Sequence, residues 1–348
     1  MVSGWLLAAL LFSAQEPQQP VFRAETALAL VRFHVVRDNR YVTGLKPEDI
    51  VLLEDGVPRK LTLFEGGRAG PRSLPVEIAV VFDISGSVTR WGLLDPLVFK
   101  TALLDGMPNV RLSVYGFGGR LHRFSRPTRD PEALAAAFRR VLDFRSGARP
   151  RPDLIPIELP PKRKANMPGG TWLYESVIGA ARDAASMPGS ATRMLLVFSD
   201  GFPTTNTHPE DAAGVARELG LPVYPVVLGH AHFVEQAGAV QQGGYRRDGS
   251  LKEGARRRLE RLQDKEDDMR DFASLGELTG GRSFDPPLIN LNMLRQILGG
   301  VAAQVACEYV VGFSPPPPDG PPKRHKLQVR VARKELGKVL GGTRTIEH

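Results

Sequence analysis

Residues 76–87 read VEIAVVFDISGS, an apolar run interrupted only by Glu77 that ends at Asp83 and passes at once into a short polar turn. The run is brief, bounded and rich in β-branched residues, as expected for a strand buried on both faces of a parallel sheet. Three further stretches repeat the pattern, at 110–115, 194–198 and 223–228. Helical patterns lie between them. Asp130-Pro131 opens a segment in which Leu134, Phe138 and Val141 recur at helical spacing, and Leu173, Val177, Ala181 and Ala184 do the same. Pro209-Glu210-Asp211 opens a third helix, which Gly220 closes. Strands alternating with helices of this length predict a doubly wound α/β core with a mostly parallel sheet over residues 76–286.

On the N-terminal side the pattern is β. Val31, Phe33 and Val35 alternate with Arg32 and His34, and the runs 51–53 and 61–64 flank Asp55-Gly56, a hairpin signal. This predicts a small β-rich domain over 21–65, joined to the core by a Gly-, Pro- and Arg-rich linker at 66–75. On the C-terminal side, 287–348 reads as a helix at 291–306, a strand at 308–313 and a partner strand carrying Leu327, Val329 and Val331, a helix plus β-hairpin closed by the proline-rich loop 315–322. Two stretches interrupt the core pattern, 145–164 and 230–270, and both read as surface excursions. The mixed-charge run 256–268 in the second predicts a solvated helix.

Composition narrows the function classes. The chain has 348 residues, 42% of them hydrophobic, which is enough for a large core and too apolar for a disordered chain. A single Cys excludes both a disulfide framework and a four-thiolate zinc site, and Cys307 reads as a small buried hydrophobe. The formal net charge is +8, but acidic residues accompany the basic ones almost everywhere, which describes a mixed solvated surface and no nucleic-acid partner. Residues 5–12 are unbroken apolar sequence, too short for a transmembrane helix of about 20 residues and suited to a secretory signal. The expectation is a signal peptide and leader over 1–20, cleaved near Ala14 or Gln15, and a secreted, periplasmic or cell-envelope protein without a transmembrane span in the mature chain.

The polar residues at the strand ends carry the chemistry. Asp83 ends the first core strand and is followed by Ser85 and Ser87; Thr171 follows Gly169-Gly170 just before a helix; Asp200 follows the strand 194–198 and precedes Gly201. In an open parallel sheet, ligands bind beyond the carboxyl ends of the strands where the strand order reverses. Three loops therefore bring two carboxylates and three hydroxyls to one edge. This all-oxygen inventory suits a hard cation such as Mg²⁺, which keeps several of its waters, whereas zinc favours the nitrogen and sulfur ligands these loops lack. His230 and His232, close together after the strand 223–228, read as unliganded surface residues.

VEIAVVFDISGS at 76–87, GGTWLYE at 169–175 and FSDG at 198–201 together resemble the three parts of a von Willebrand factor type A domain with a metal-ion-dependent adhesion site. The resemblance covers 76–286. It extends outward through LKPEDIVLLEDGVPRKLTLFE at 45–65, LGELTGGRSF and EYVVGFSPPP, which are similar to the flanks of exported bacterial proteins of this kind. It implies a non-enzymatic, adhesive protein-binding module holding Mg²⁺ or Mn²⁺. Ser85 and Ser87 would bind the metal directly, Thr171 directly or through water, and Asp83 and Asp200 at least partly through water, with an Asp or Glu carboxylate of a protein partner completing the coordination. Two departures stand out. Glu175 occupies a place where Asp is common, and Phe202-Pro203 follows Gly201 where a further acidic residue is often found.

Other readings compete for the same residues. Ser85, Ser87 and Thr171 could simply cap helices, and the domain could be a metal-free interaction scaffold. A phosphatase of the haloacid dehalogenase type also begins at a strand-end Asp and uses Mg²⁺, but it needs a second Asp two residues on, where this chain has Ser85. A serine hydrolase would need a Gly-x-Ser-x-Gly turn, which neither serine provides.

Overall fold

The computed structural model describes residues 28–38, 40–67, 74–86, 88, 95–145, 155–159, 170–244, 246, 250–287, 289–316 and 320–348. Five strands come first: β1 Ala29–Arg37, β2 Arg40–Tyr41, β3 Ile50–Glu54, β4 Val57–Arg59 and β5 Leu63–Gly66. The α/β core follows as β6 Val76–Asp83, α1 Pro96–Phe99, β7 Val110–Phe117, β8 Leu121–Thr128, α2 Pro131–Arg145, β9 Ile155–Ile157 and α3 Leu173–Ala185. It continues with β10 Thr192–Ser199, α4 Pro209–Glu218, β11 Val223–Val227, α5 His230–Gly243 and α6 Glu253–Thr279. The chain closes with α7 Leu291–Cys307, β12 Tyr309–Phe313, β13 Arg324–Val331, β14 Lys338–Gly341 and β15 Thr343–Glu347. The expected signal peptide, Ser87, Gly169 and much of 66–75 and 145–164 lie outside the described residues.

The core sheet has the order β11-β10-β6-β7-β8-β9. Its first four strands are parallel, and β8 and β9 run antiparallel at one edge. The expected strands are therefore present, in an α/β fold with a mostly parallel sheet. From β6 the chain lays down β7, β8 and β9 on one side, then returns to place β10 and β11 on the other, so the order reverses between β6 and β10. Alternation along β6 explains why its sequence is apolar throughout: Ile78, Val80 and Phe82 join the packing on one face with α1, α2 and α7, and Ala79 and Val81 join the other with α3, α4 and α6.

The flanking strands pair in a way the sequence pattern did not anticipate. Asp55-Gly56 does form a tight turn, with φ of 49° and 85°, but the strand returning from it is the short β4, and 63–66 pairs instead with β12. The segment expected to pair with β12 as a hairpin, β13, lies in another sheet between β15 and β3. Edge availability explains both: β1 already flanks β12 on one side and β5 on the other, so β13 extends the β3 ladder. The resulting sheets, β14-β1-β12-β5 and β15-β13-β3-β4, enclose an apolar layer that includes Phe33, Leu52, Tyr309, Val311 and Leu327. N- and C-terminal segments thus build one β body together.

The mixed-charge run 256–268 is a mostly exposed helix, as expected, but the helix continues beyond it. The 230–270 stretch holds two helices, and α6 is solvated only in part: Met269, Phe272 and Leu275 in its last turns are buried against the sheet, while Leu262 packs with Val240 of α5.

Candidate metal centre

Asp83 and Asp200 stand at the ends of neighbouring parallel strands, Phe82 being in register with Phe198. Both are buried, at 4% exposure each. Asp83 is held from two sides: its Oδ1 accepts the Ser85 N–H at 2.9 Å, the turn that the Asp-x-Ser spacing produces, and its Oδ2 accepts the Ser199 hydroxyl at 2.7 Å. Ser199 in turn accepts the Gly201 N–H at 3.1 Å. The Asp200 Oδ1 accepts the Phe202 N–H at 3.2 Å. Gly201 has φ of +84°, and a Cβ there would lie 3.1 Å from the Cα of Met269 in α6, so the turn after Asp200 needs both the left-handed backbone and the missing side chain.

Thr171 is buried at the start of α3, and backbone bonds tie it to the same edge. Its carbonyl accepts both the N–H and the hydroxyl of Thr204, at 2.9 and 3.1 Å, and the Trp172 N–H donates to Gly118 just beyond β7. The Ile84 N–H donates to Phe117 at the end of the same strand. Gly170 permits this closure: a Cβ on it would lie 2.0 Å from the Thr204 Oγ1. The structure therefore brings Asp83, Ser85, Thr171 and Asp200 to one sheet edge at the reversal point; Ser87 lies outside the described residues.

Two residues outside the expected ligand set support this edge. Ser199, inside the quoted FSDG motif, anchors Asp83. Glu175, 1% exposed, accepts the hydroxyls of Thr205 and Thr207 at 3.0 and 2.5 Å and so pins the loop after Asp200 to α3. The acidic stretch of α6 reaches the same edge electrostatically. Burial, then the charges of Asp271, Asp264, Asp267 and Asp200, push the Asp268 carboxyl up to about 6.

The carboxyl pair is the physical test of whether a cation fits. Burial first and the charge of Asp200 second push the Asp83 carboxyl up to about 7, despite the hydrogen bonds from Ser85 and Ser199 that favour its ionised form. Two like-charged groups sharing a dry edge oppose each other's ionisation. A divalent cation would relieve that opposition, and the donors around it are all oxygen, so the residues fit a hard metal ion. His230 lies 3.7 Å from the Asp285 carboxylate, and the His232 side chain is outside the described residues. Cys307 is half-buried at the end of α7.

The sequence matches no family model and no curated protein. Among solved structures, the chain is similar to the conserved hypothetical protein BatB from Bacteroides thetaiotaomicron, with 19% identity over 66% of this chain and 99% of that one and a TM-score of 0.38. It is similar to proximal thread matrix protein 1 from the mussel byssus, solved with a zinc-occupied MIDAS motif, at 14% identity over 69% and 47% of the two chains and a TM-score of 0.37. It is also similar to the ArnB paralog VWA2 from Sulfolobus acidocaldarius, at 12% identity over 92% and 74% and a TM-score of 0.37. At these values the strand order and the residues at its reversal point carry the reading of the site.

Proposed function

We propose that this chain is a divalent-cation-dependent protein-binding module in which Asp83, Ser85, Ser87, Thr171 and Asp200 hold Mg²⁺ or Mn²⁺ and a carboxylate of a partner protein completes the site. The observation that carries the proposal is the buried carboxyl pair at the reversal point, Asp83 and Asp200, with Asp83 raised to about 7 by burial and by its neighbour. The bound cation would supply a positive centre able to accept an Asp or Glu side chain. The chain's own residues orient it. Ser199 and the Ser85 N–H fix both oxygens of Asp83, and Glu175 holds the 205–207 loop against α3. The acidic stretch of α6 adds a negative field that draws the cation in. Ser85 occupies the position at which a dehalogenase-type phosphatase needs its acid, which favours the binding reading over that chemistry. The proposal includes export, with residues 1–20 as the signal. Among the described residues no helix is long and apolar enough to cross a membrane.

Calorimetric titration of the chelator-treated protein with Mg²⁺ and Mn²⁺ tests the site, and capture from a cell-envelope extract with and without EDTA tests the function. The expected results are a one-to-one metal isotherm that Asp83→Ala abolishes, and capture that EDTA reverses. Metal binding that survives Asp83→Ala, or Mg²⁺-dependent phosphate release from a generic phosphomonoester, would overturn the reading.

A further inference from the structure

A second group of ligating side chains lies in the β body. Among the described residues, Glu54, His325 and His348 are brought together so that one ligand atom from each lies within 4.8 Å of the others. Glu54 ends β3, His325 lies near the start of β13, and His348 follows β15. The strand register produces the cluster: Leu327 pairs with Glu54, and His325, two residues earlier on the same face, pairs with Ile346 of β15. His348 is pinned by reciprocal backbone bonds with Lys323, at 3.2 and 3.0 Å. The two imidazoles stack with centroids 4.3 Å apart.

The surrounding bonds are those a metal site needs. Glu54 is 2% exposed, and Arg59 occupies one of its oxygens, Nε to Oε2 at 2.6 Å, leaving Oε1 facing His348 Nε2 at 2.6 Å. His325 Nδ1 is bonded to Asp55 Oδ2 at 2.8 Å, while the other oxygen of Asp55 accepts the Lys326 N–H at 2.8 Å. Ligating histidines characteristically spend their second ring nitrogen on a carboxylate, which fixes the tautomer and turns the remaining nitrogen toward the metal. Asp55 does this for His325 and leaves its Nε2 as the ligand atom. The two histidines remain partly open to solvent, at 25% and 15% side-chain exposure, so a fourth position is accessible.

We propose that Glu54, His325 and His348 form a transition-metal site of the zinc type, distinct in ligand chemistry from the all-oxygen edge at Asp83, with Asp55 as the residue that positions His325. Two imidazole nitrogens and one carboxylate oxygen form a ligand set that zinc takes with a fourth position left to water. Tetrahedral ligands at about 2.0–2.1 Å lie about 3.3 Å from one another, so ligand atoms now within 4.8 Å must draw together and the two stacked rings must turn until their in-plane nitrogens converge on the ion. To ligate through Nε2, His348 must present a lone pair there, with its ring proton carried on Nδ1 and the Glu54 Oε1 contact given up to the metal. The site would staple β3, β13 and β15, joining Glu54 to His348, 294 residues away in sequence.

The test uses the full chain, freed of metal by chelator and titrated with Zn²⁺ by calorimetry and with Co²⁺ by visible absorption. In wild type, one equivalent of Zn²⁺ binds and raises the Tm, Co²⁺ gives the intense absorption of a tetrahedral centre, and excess Mg²⁺ competes with neither. Asp83→Ala leaves these signals in place, which separates this site from the one proposed above. His348→Gln abolishes the cobalt spectrum, and Asp55→Asn weakens Zn²⁺ binding by about 10- to 100-fold while circular dichroism shows the fold intact. Because His325→Gln in the interior strand β13 could disturb folding, its far-UV spectrum is read alongside. A Zn²⁺ isotherm and cobalt spectrum unchanged in folded His348→Gln, or an octahedral cobalt spectrum in wild type, would overturn the proposal.

Discussion

Asp83 is the residue on which the edge turns, because its proton and the proposed metal would compete for the same oxygens. Its carboxyl is raised from an ordinary value of 3.8 to about 7, by burial first and by Asp200 second. Between those two values the folded protein binds a proton that the unfolded chain has released. The metal-free protein should therefore lose stability as pH rises from about 4 through 7, the opposite of the usual behaviour of a paired carboxylate. Metal binding must expel that proton, so apparent affinity for Mg²⁺ should climb steeply with pH up to about 7 and level off above it. Thermal melts at pH 5.5 and pH 8, each with and without Mg²⁺, check both trends. The stabilisation by Mg²⁺ should be large at pH 8 and nearly absent at pH 5.5, and Asp83→Asn should melt higher than wild type without metal at pH 8 while ignoring Mg²⁺. A metal-free protein that is more stable at pH 8 than at pH 5.5 would contradict the assignment.

Among the elements, α3 and the loop after β10 act as a unit because Glu175 joins them. The Glu175 carboxylate is buried and accepts two threonine hydroxyls. Hydrogen bonds to a charged group contribute about 1.5–3 kcal/mol each, and removing the acceptor leaves the buried Thr205 hydroxyl without this partner while Thr207 is partly open to solvent. Glu175→Ala should cost about 2–4 kcal/mol in urea unfolding, and Glu175→Asp, one methylene shorter, should reach only one of the two threonines and cost roughly half as much. Equal melting of Glu175→Asp and wild type would show that the clamp is not under tension from its length. The sequence placed Glu175 on the right helix and next to the right motif, since the helical spacing of Leu173, Val177 and Ala181 leaves little choice. What it left hidden was the partner: Thr205 and Thr207 are about 30 residues away, and nothing in their local pattern points to α3. The elements most legible were those whose burial comes from their own periodicity, β6, β10, α2, α3 and α4. The solvated helix expected over 256–268 is the charged part of α6, and its continuation through Met269, Phe272 and Leu275 was not read because those residues pack against a sheet that the local window does not contain.

For the whole molecule, what spacing along the chain conceals is long-range pairing, and the β body is made almost entirely of it. Asp-x-Ser-x-Ser, Gly-Gly-Thr and Ser-Asp-Gly were legible as a site because each sits at its own strand or helix boundary, whereas Glu54 and His348 carry no local sign of one another. The same distance separates the groups that couple the two bodies. Arg32 of β1 reaches Glu308, which follows α7, with Nη2 at 2.6 Å from Oε1, and its other terminal nitrogen donates to the Arg193 carbonyl in β10. Both side chains of the ion pair are nearly inaccessible, at 6% and 1% exposure. Such a pair contributes little beyond what an apolar pair of similar size would, yet breaking it strands a buried charge and costs about 3–5 kcal/mol. Arg32→Met should therefore lower stability by that amount in urea unfolding, because the buried Glu308 carboxylate loses the Arg32 guanidinium. Arg32→Met combined with Glu308→Gln should recover at least half of the loss, because the charge is gone from both sides. If the double variant is as unstable as Arg32→Met alone, the loss comes instead from the bond to Arg193, and the β body is coupled to the core sheet through the β10 backbone and not through the ion pair.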